Sequence, residues 1–379
     1  MKKKEPKSRD KSGLQKPTKK GTNNGRRHNG EKSKSMELPR HVTIGHSVIE
    51  NIGEICRSLQ LKGSAVLVVD KTTKRIAGDR VEKVLVSEKY DAWQAVITEA
   101  DLDNLTQVKS VISEVKARFV LGVGGGRPID IAKLASYEAK KPFLSVPTAA
   151  SHDGIVSSQA SILDNNNRKS FNTHSPFAVV ADTKIISESP YRLLAAGCGD
   201  IISNITAVKD WVLAKKLRNE YFSSSAAMLS ELTAKMLLEN AEMIKPRLEE
   251  SAWLVAKALV SSGVAMSIAG SSRSASGSEH MFSHALDRLA PKPALHGEQC
   301  AVGTIMVMYL HGGNWKEIRN ALTKLKVPVT AKDLKIEDEL IIEALTIAHT
   351  IRPDRYTILS GGLTYEAAED LAVQTGVIE

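Results

Sequence analysis

Between about residues 36 and 185, short apolar runs alternate with segments whose apolar residues recur every three or four positions. The run at 64–69 (SAVLVV) is rich in β-branched residues, ends at Asp70 and predicts a strand buried on both faces. Residues 94–98 (QAVIT) and 119–123 (FVLGV) predict two more strands, and 141–146 (KPFLSV) predicts another that stops at Pro147. Between them Leu105, Val108, Val111, Ile112 and Val115 fall at helical spacing. Residues 160–163, the polar stretch DNNNRK at 164–169 and residues 170–171 predict a hairpin, and 177–180 (FAVV) one last strand. Alternating βα units imply a parallel sheet with helices on both faces.

After Pro190 strand-like runs largely disappear. Helical patterns follow at 201–217, 224–244, 249–269, 279–289 and 301–309, with two more at 337–349 and 365–377. The expected architecture is an α/β dinucleotide-binding domain over 36–188 and an all-helical domain over 189–379, with no internal repeat. Ligands of parallel sheets bind beyond the carboxyl ends of the strands. The cleft between the two domains is therefore the expected active site.

A length of 379 residues accommodates two domains. The net charge of +9 looks like a nucleic-acid signal until it is located. Residues 1–35 hold thirteen Lys or Arg against three Asp or Glu, so the remainder carries −1. That tail has one leucine and no aromatic residue, too little apolar surface to offset chain entropy, and is expected to be disordered. A polyanion would attract it, but without aromatic residues to stack on bases no specific nucleic-acid partner is expected.

The N-terminus lacks an apolar run of signal-peptide type. No stretch approaches the ~20 uninterrupted apolar residues of a spanning helix. Residues 254–269 come closest, but Lys257, Ser261, Ser262 and Ser267 interrupt them, so a buried core helix and no transmembrane segment are expected. Cys56, Cys198 and Cys300 are odd in number and far apart, which argues against a disulfide framework and fits a cytoplasmic protein. Cys198, two residues before Asp200, reads as an ordinary buried cysteine.

The candidate chemistry begins at residues 122–130 (GVGGGRPID), a glycine-rich turn between a strand and a helix. Gly124, Gly125 and Gly126 have no Cβ, so their amides can approach a pyrophosphate closely. Arg127 stands where the third glycine of G-x-G-x-x-G belongs, and Asp70 is placed to accept hydrogen bonds from a ribose. Residues 145–158 (SVPTAASHDGIVSS) are rich in hydroxyls that suit a nicotinamide or phosphate. Within them Asp153, followed by Gly154, is a candidate for binding substrate hydroxyls or for an Asx turn.

Asp200 in GCGD, His296 in LHGEQ and the pair His280 and His284 in SGSEHMFSHALD form an oxygen and nitrogen set suited to Zn²⁺ or another borderline divalent ion. Residues 280 and 284 share one helix face. Either both are ligands, or one is a ligand and the other contacts substrate. Three protein ligands leave a coordination position free for substrate. A cofactor loop and an open metal site together point to metal-assisted hydride transfer.

From about residue 38 to the C-terminus the chain resembles the sn-glycerol-1-phosphate dehydrogenases. They belong to the iron-containing alcohol dehydrogenase-like superfamily with glycerol dehydrogenases and dehydroquinate synthases. The matching pieces are GGGRPID, PTAASHDG, GCGD, GSEHMFSHALD and HGEQCAVG. The SHDG of residues 151–154 discriminates against glycerol dehydrogenases, and Asp200 against the usual glutamate of dehydroquinate synthases. The resemblance implies the dehydroquinate synthase-like fold and one Zn²⁺ per subunit on Asp200, His280 and His296. It implies NAD(P)H binding by Gly124, Gly125, Gly126, Arg127, Pro128, Thr148, Ala149, Ala150, Ser151 and Ser157, with Asp70 and Asp130 completing the expected set. Asp153 and His284 are then the catalytic, substrate-contacting residues beside Asp200. The reaction implied is reversible reduction of dihydroxyacetone phosphate to sn-glycerol 1-phosphate, the first step towards archaeal-type glycerophospholipid backbones, in a homo-oligomer. The alternative is an NAD-dependent glycerol or related polyol dehydrogenase. Arg273, Lys209 and Lys292 are candidates for the substrate phosphate.

Overall fold

Eight strands appear in chain order: β1 (His41–Gly45), β2 (Ser64–Asp70), β3 (Asp91–Ile97), β4 (Phe119–Gly124), β5 (Phe143–Pro147), β6 (Gln159–Asp164), β7 (Asn167–Asn172) and β8 (Ala178–Asp182). The computed structural model describes Met1 and residues 35–164 and 167–379, so the expected disorder of the tail lies outside the described residues. Residues 36–379 form a single compact unit. Six strands make an all-parallel sheet in the order β1-β8-β5-β4-β2-β3, and β6 and β7 pair separately as an antiparallel hairpin.

The apolar runs are continuous where the sheet is covered on both faces: β4, β5 and β8 are buried throughout. The edge strands β1 and β3 are only partly buried. That is why β1 (HVTIG) carries no continuous run and escapes the sequence pattern. Pro147 is the last residue of β5 rather than a stop before its end.

Helices α1 (Ile52–Ser58), α2 (Lys71–Thr73), α3 (Asp79–Ser87), α4 (Leu102–Glu114) and α5 (Gly126–Glu138) connect the strands. The sheet-forming chain then passes into α6 (Thr183–Glu188), α7 (Tyr191–Arg218), α8 (Ser224–Glu239), α9 (Glu249–Ala269) and α10 (Ser278–Leu289). It ends with α11 (His296–Leu310), α12 (Trp315–Lys324), α13 (Ala331–Leu334), α14 (Asp338–Ile351) and α15 (Tyr365–Gln374). Only α9 is long and apolar enough to cross a membrane by length and composition among the described residues, and 67% of its most apolar window is buried inside the fold.

Two helices start earlier than their apolar periodicity suggests. Helix α7 begins at Tyr191, directly after Pro190, and runs through GCGD. Helix α11 begins at His296 itself. Glycine weakens an isolated helix, but here close packing requires it. A Cβ at Gly297 would lie 1.9 Å from Ala196 O, and one at Gly199 would lie 2.5 Å from Gly297 O. A Cβ at Gly197 would lie 2.1 Å from Ala150 O. The glycines beside Asp200 and His296 thus let α7, α11 and the loop after β5 touch backbone to backbone.

Candidate active site and metal centre

The strand order reverses between β2 and β4, where β2 leads out to β3 and β4 returns on its other side. Such a switch point opens a crevice at the carboxyl ends. Asp70 closes β2 there, and the glycine turn opens α5 beside it. Asp70 Oδ1 accepts from the Thr72 and Thr73 amides at 2.9 and 2.8 Å, capping α2. Its Oδ2 faces Arg127 Nη2 at 3.6 Å, while Arg127 Nη1 reaches Glu99 at 2.9 Å.

This crevice is one end of a cavity of about 1010 Å³. Asp70, Gly125, Gly126, Arg127, Pro128 and Asp130 line it, as do Thr148, Ala149, Ser151, Asp153 and Ser157. Its far wall carries His280, His284 and His296. Two of the expected cofactor residues stand back from the lining. Gly124 is packed under Pro128, and Ala150 is buried with its carbonyl against α7.

The loop after β5 is anchored from beneath by Lys133, which is fully buried. Its ammonium donates to Gly154 O and Gln159 O, both at 2.6 Å, and lies 3.6 Å from Asp130. Burial pushes that ammonium below its ordinary range, with Asp130 opposing the shift. Asp130 also accepts from the Ser161 amide at 3.2 Å. Helix α5 is thereby tied to the loop that carries Asp153.

The metal candidates converge from three helices. Asp200 from α7, His280 from α10 and His296 from α11 offer ligand atoms within 4.8 Å of one another, together with Cys300 Sγ. Asp200 Oδ1 is buried and has no hydrogen-bond partner. His280 Nε2 and His296 Nε2 face it at 3.7 and 3.6 Å, too far for hydrogen bonds. Two ligand atoms each ~2.1 Å from a tetrahedral Zn²⁺ are about 3.4 Å apart, so the spacing and the orphaned oxygen fit an ion between them.

Burial, then the charge of Asp153, pushes the Asp200 carboxyl well above its usual range. Burial also pushes His280 well down, with His284, Arg352 and Arg355 adding to the shift. His296 moves down for the same first reason, with His280 and His284 next. Burial drives all three groups to their neutral forms around one gap; a bound cation would keep the two imidazoles neutral, as ligands must be, and return the carboxyl to its anion.

The supporting contacts fix each ring. His280 Nδ1 lies 2.9 Å from Glu279 Oε1, leaving Nε2 for the gap. Glu279, pushed up to about 7 by burial and then by Asp210, accepts from Gly277 N and Thr206 Oγ1. Asp210 holds the start of α10 through Ser278 N at 2.7 Å, and also accepts from the Ile358 amide. His296 Nδ1 lies 3.2 Å from Ser283 Oγ. The rest of HGEQ is equally committed. Glu298 takes a two-pronged ion pair from Arg192 at 2.6 and 2.7 Å, and Gln299 Nε2 donates to Ser283 and Asp287.

The structure separates the two histidines of α10. His284 lies outside the tight group, its ring stacked 5.7 Å from that of His296 and its Nδ1 3.6 Å from Asp287 Oδ2. Asp153 joins the group from the sheet side: its amide donates to Asp200 Oδ2 at 2.8 Å, and its carboxyl accepts from Ser262 Oγ at 3.0 Å. Burial pushes that carboxyl up.

Two residues here stand outside the candidates that the sequence motifs mark. His152 lines the cavity and accepts from Gly154 N at 3.0 Å. Cys300, one helical turn after His296, sits 3.6 Å from His296 Nε2 as a thiol that burial keeps protonated. The i, i+4 spacing from His296 was the available signal. Cys198 and Cys56 are buried elsewhere. Of the phosphate candidates, Lys292 lines the cavity, Lys209 does not, and Arg273 is tied to Glu220.

Residues 43–190 match the family of iron-containing alcohol dehydrogenases. A glycerol-1-phosphate dehydrogenase [NAD(P)+] of Methanosarcina acetivorans is 59% identical over 350 residues, 92% of this chain and 98% of the relative. A protein of the same name from Methanothermobacter thermautotrophicus is 54% identical over 91% and 99%. The chain belongs to the glycerol-1-phosphate dehydrogenase family. A probable glycerol dehydrogenase from Sinorhizobium meliloti has the same fold, with a TM-score of 0.74 at 18% identity over 92% of this chain and 100% of that one. All the motifs of the glycerol-1-phosphate dehydrogenase resemblance lie within the segment that the relatives share; four of them line one cavity, and GCGD brings Asp200 up behind His280 and His296.

Proposed function

We propose that this protein catalyses the reversible, NAD(P)H-dependent reduction of dihydroxyacetone phosphate to sn-glycerol 1-phosphate. The observation that carries the reading is 54–60% identity with relatives of that name across nearly their whole length. Chemistry and place in metabolism go together: the product is a glycerophosphate backbone, which assigns the enzyme to membrane-lipid synthesis of the archaeal type.

Asp200, His280 and His296 would hold one divalent ion, Zn²⁺ by the chemistry of the donors. When bound, the ion supplies a Lewis acid at the carbonyl oxygen and the reduced nicotinamide supplies the hydride. The chain's own residues do the rest. The glycine turn and Thr148, Ser151 and Ser157 seat the cofactor against the sheet edge. Asp153 orients the free hydroxyl of the ketone so that one face of the carbonyl is presented. His284, with Nδ1 toward Asp287, leaves Nε2 to return a proton to the product oxygen.

We assign cofactor binding to residues 36–188 and the metal and substrate wall to 189–379. We further propose a homo-oligomer acting in the cytoplasm. Trp93 and Val96, exposed on edge strand β3, support the first, and three unpaired buried thiols support the second. Light scattering on the purified protein tests the oligomer.

The decisive assay is NADPH oxidation with dihydroxyacetone phosphate, before and after metal stripping and Zn²⁺ return. Metal-dependent turnover that is absent with unphosphorylated dihydroxyacetone supports the proposal. Equal or better turnover without the phosphate moves the protein to the polyol dehydrogenases.

A further inference from the structure

Besides the hydroxyl assigned to Asp153, the phosphorylated ketone carries two recognition groups: a carbonyl oxygen, and a phosphate ester on the adjacent carbon. With the carbonyl at the Asp200–His280–His296 gap, the phosphate must meet the cavity wall nearby. A multiply charged anion there requires a cation that is not already neutralised.

Six cationic side chains line the cavity: Arg127, Arg168, Arg192, Lys292, Lys335 and Arg352. Arg127 is engaged by Asp70 and Glu99, and Arg192 by Glu298. Lys292, Lys335 and Arg168 are all exposed, but of these only Arg168 shares a groove with Arg352 and His284. Arg352, just after α14, is largely withdrawn from solvent, and burial lowers its proton affinity with no described carboxylate to offset it. Among the described residues its guanidinium makes one hydrogen bond, to Ser170 Oγ at 3.3 Å. Ser170 and Arg168 stand two residues apart on β7, so both point to the same face of the hairpin.

Behind Arg352 lies Arg355, which donates to Ser276 O and Ser272 Oγ at 2.5 and 2.8 Å. Burial, then the charges of Arg352 and Arg273, pushes it down to about 9. Of these three guanidiniums only Arg273 has a described carboxylate partner, Glu220. Ser272 and Ser276 line the same stretch of cavity and add hydroxyls. The segment is held in place at its far end, where the Ile358 amide donates to the buried Asp210 at 2.7 Å.

We propose that Arg352, joined by Arg168 from the β6–β7 hairpin, is the subsite for the substrate phosphate. This inference rests on the functional reading above. Helix α10 and the hairpin bring the subsite beside His284, so one end of the substrate is fixed by charge while the other is fixed at the metal set. Guanidinium suits the role because its planar fork bonds two phosphate oxygens at once.

The test is steady-state kinetics of the Zn²⁺-loaded protein with dihydroxyacetone phosphate, using inorganic phosphate as competitive inhibitor. Arg352→Gln should raise KM for the phosphorylated ketone about 10- to 100-fold, with a parallel rise in the inhibition constant of inorganic phosphate. KM for NADPH should stay within about twofold, and Arg168→Gln should shift the same two constants by a smaller factor. Unchanged KM and inhibition constants in a wild type that does reduce the phosphorylated ketone overturn the subsite alone. A wild type with no preference for the phosphorylated ketone overturns the functional reading with it. If Arg352→Gln fails to fold, Arg352→Lys and Arg168→Gln read the same constants, and no change in either overturns the assignment.

Discussion

The two walls of the cavity are built on different principles. The sheet wall works mainly through backbone: a glycine turn at the end of β4 and a loop after β5, held from below by the buried Lys133. The helical wall presents side chains: His280 and His296, with Asp200 behind them, each on its own helix and each oriented by a buried partner or a close backbone approach. A backbone site tolerates many side chains so long as none intrudes. A side-chain site fails when one ligand is lost. The Asp153 amide, donating to Asp200, is the link between the walls.

The comparison breaks most severely at the helical wall. His296→Ala should lose bound metal and at least about 10³-fold in turnover, with the thermal melt retained, because only one ligand is removed. Metal analysis alongside the melt checks it, and full activity without metal would sink the assignment. Asp153→Asn comes next. Its turnover should fall about 10²-fold while metal content is kept, since the bond to Asp200 comes from the backbone. Loss of metal in that variant would place the Asp153 side chain among the ligands.

Gly297→Ala tests the packing that brings α11 onto α7. A methyl 1.9 Å from Ala196 O cannot be accommodated without moving a helix, so denaturant unfolding should show a loss of about 1–3 kcal/mol or more. The sheet wall should respond in the opposite way. Gly125 has no atom within 4 Å of the Cβ position and no left-handed backbone, so Gly125→Ala should leave stability within about 0.5 kcal/mol. Its KM for NAD(P)H should nonetheless rise by roughly tenfold, because the methyl would stand where the cofactor approaches. The smallest effect is expected from deleting residues 1–35, which should leave turnover unchanged; a large loss would instead make the basic tail part of the function.

Legibility followed the same division. The strands β2, β4, β5 and β8 are legible because both faces are buried and the residues run apolar without a break, whereas the half-exposed β1 has no such run. Asp200 and His296, each beside a glycine, and the pair His280 and His284 are legible as candidate donors, while the choice of His280 within the pair comes from the family resemblance. Arg352 is not, since one arginine in IRPDR looks like any surface cation until its surroundings are known. Cys300 was passed over because a cysteine among apolar residues reads as core, and it is indeed buried.

The sequence by itself determined the order of the elements, the glycine turn and the residue types able to hold an ion and a cofactor. These follow from periodicity and side-chain chemistry, which are local. Only the tertiary structure decided which histidine of α10 faces Asp200, that Lys133 braces the Asp153 loop and that Arg352 lacks a described carboxylate partner. Those outcomes depend on distances between helices far apart in the chain. Close backbone packing at Gly197, Gly199 and Gly297 sets the approach of α7, α11 and the loop after β5, and no local periodicity encodes that approach.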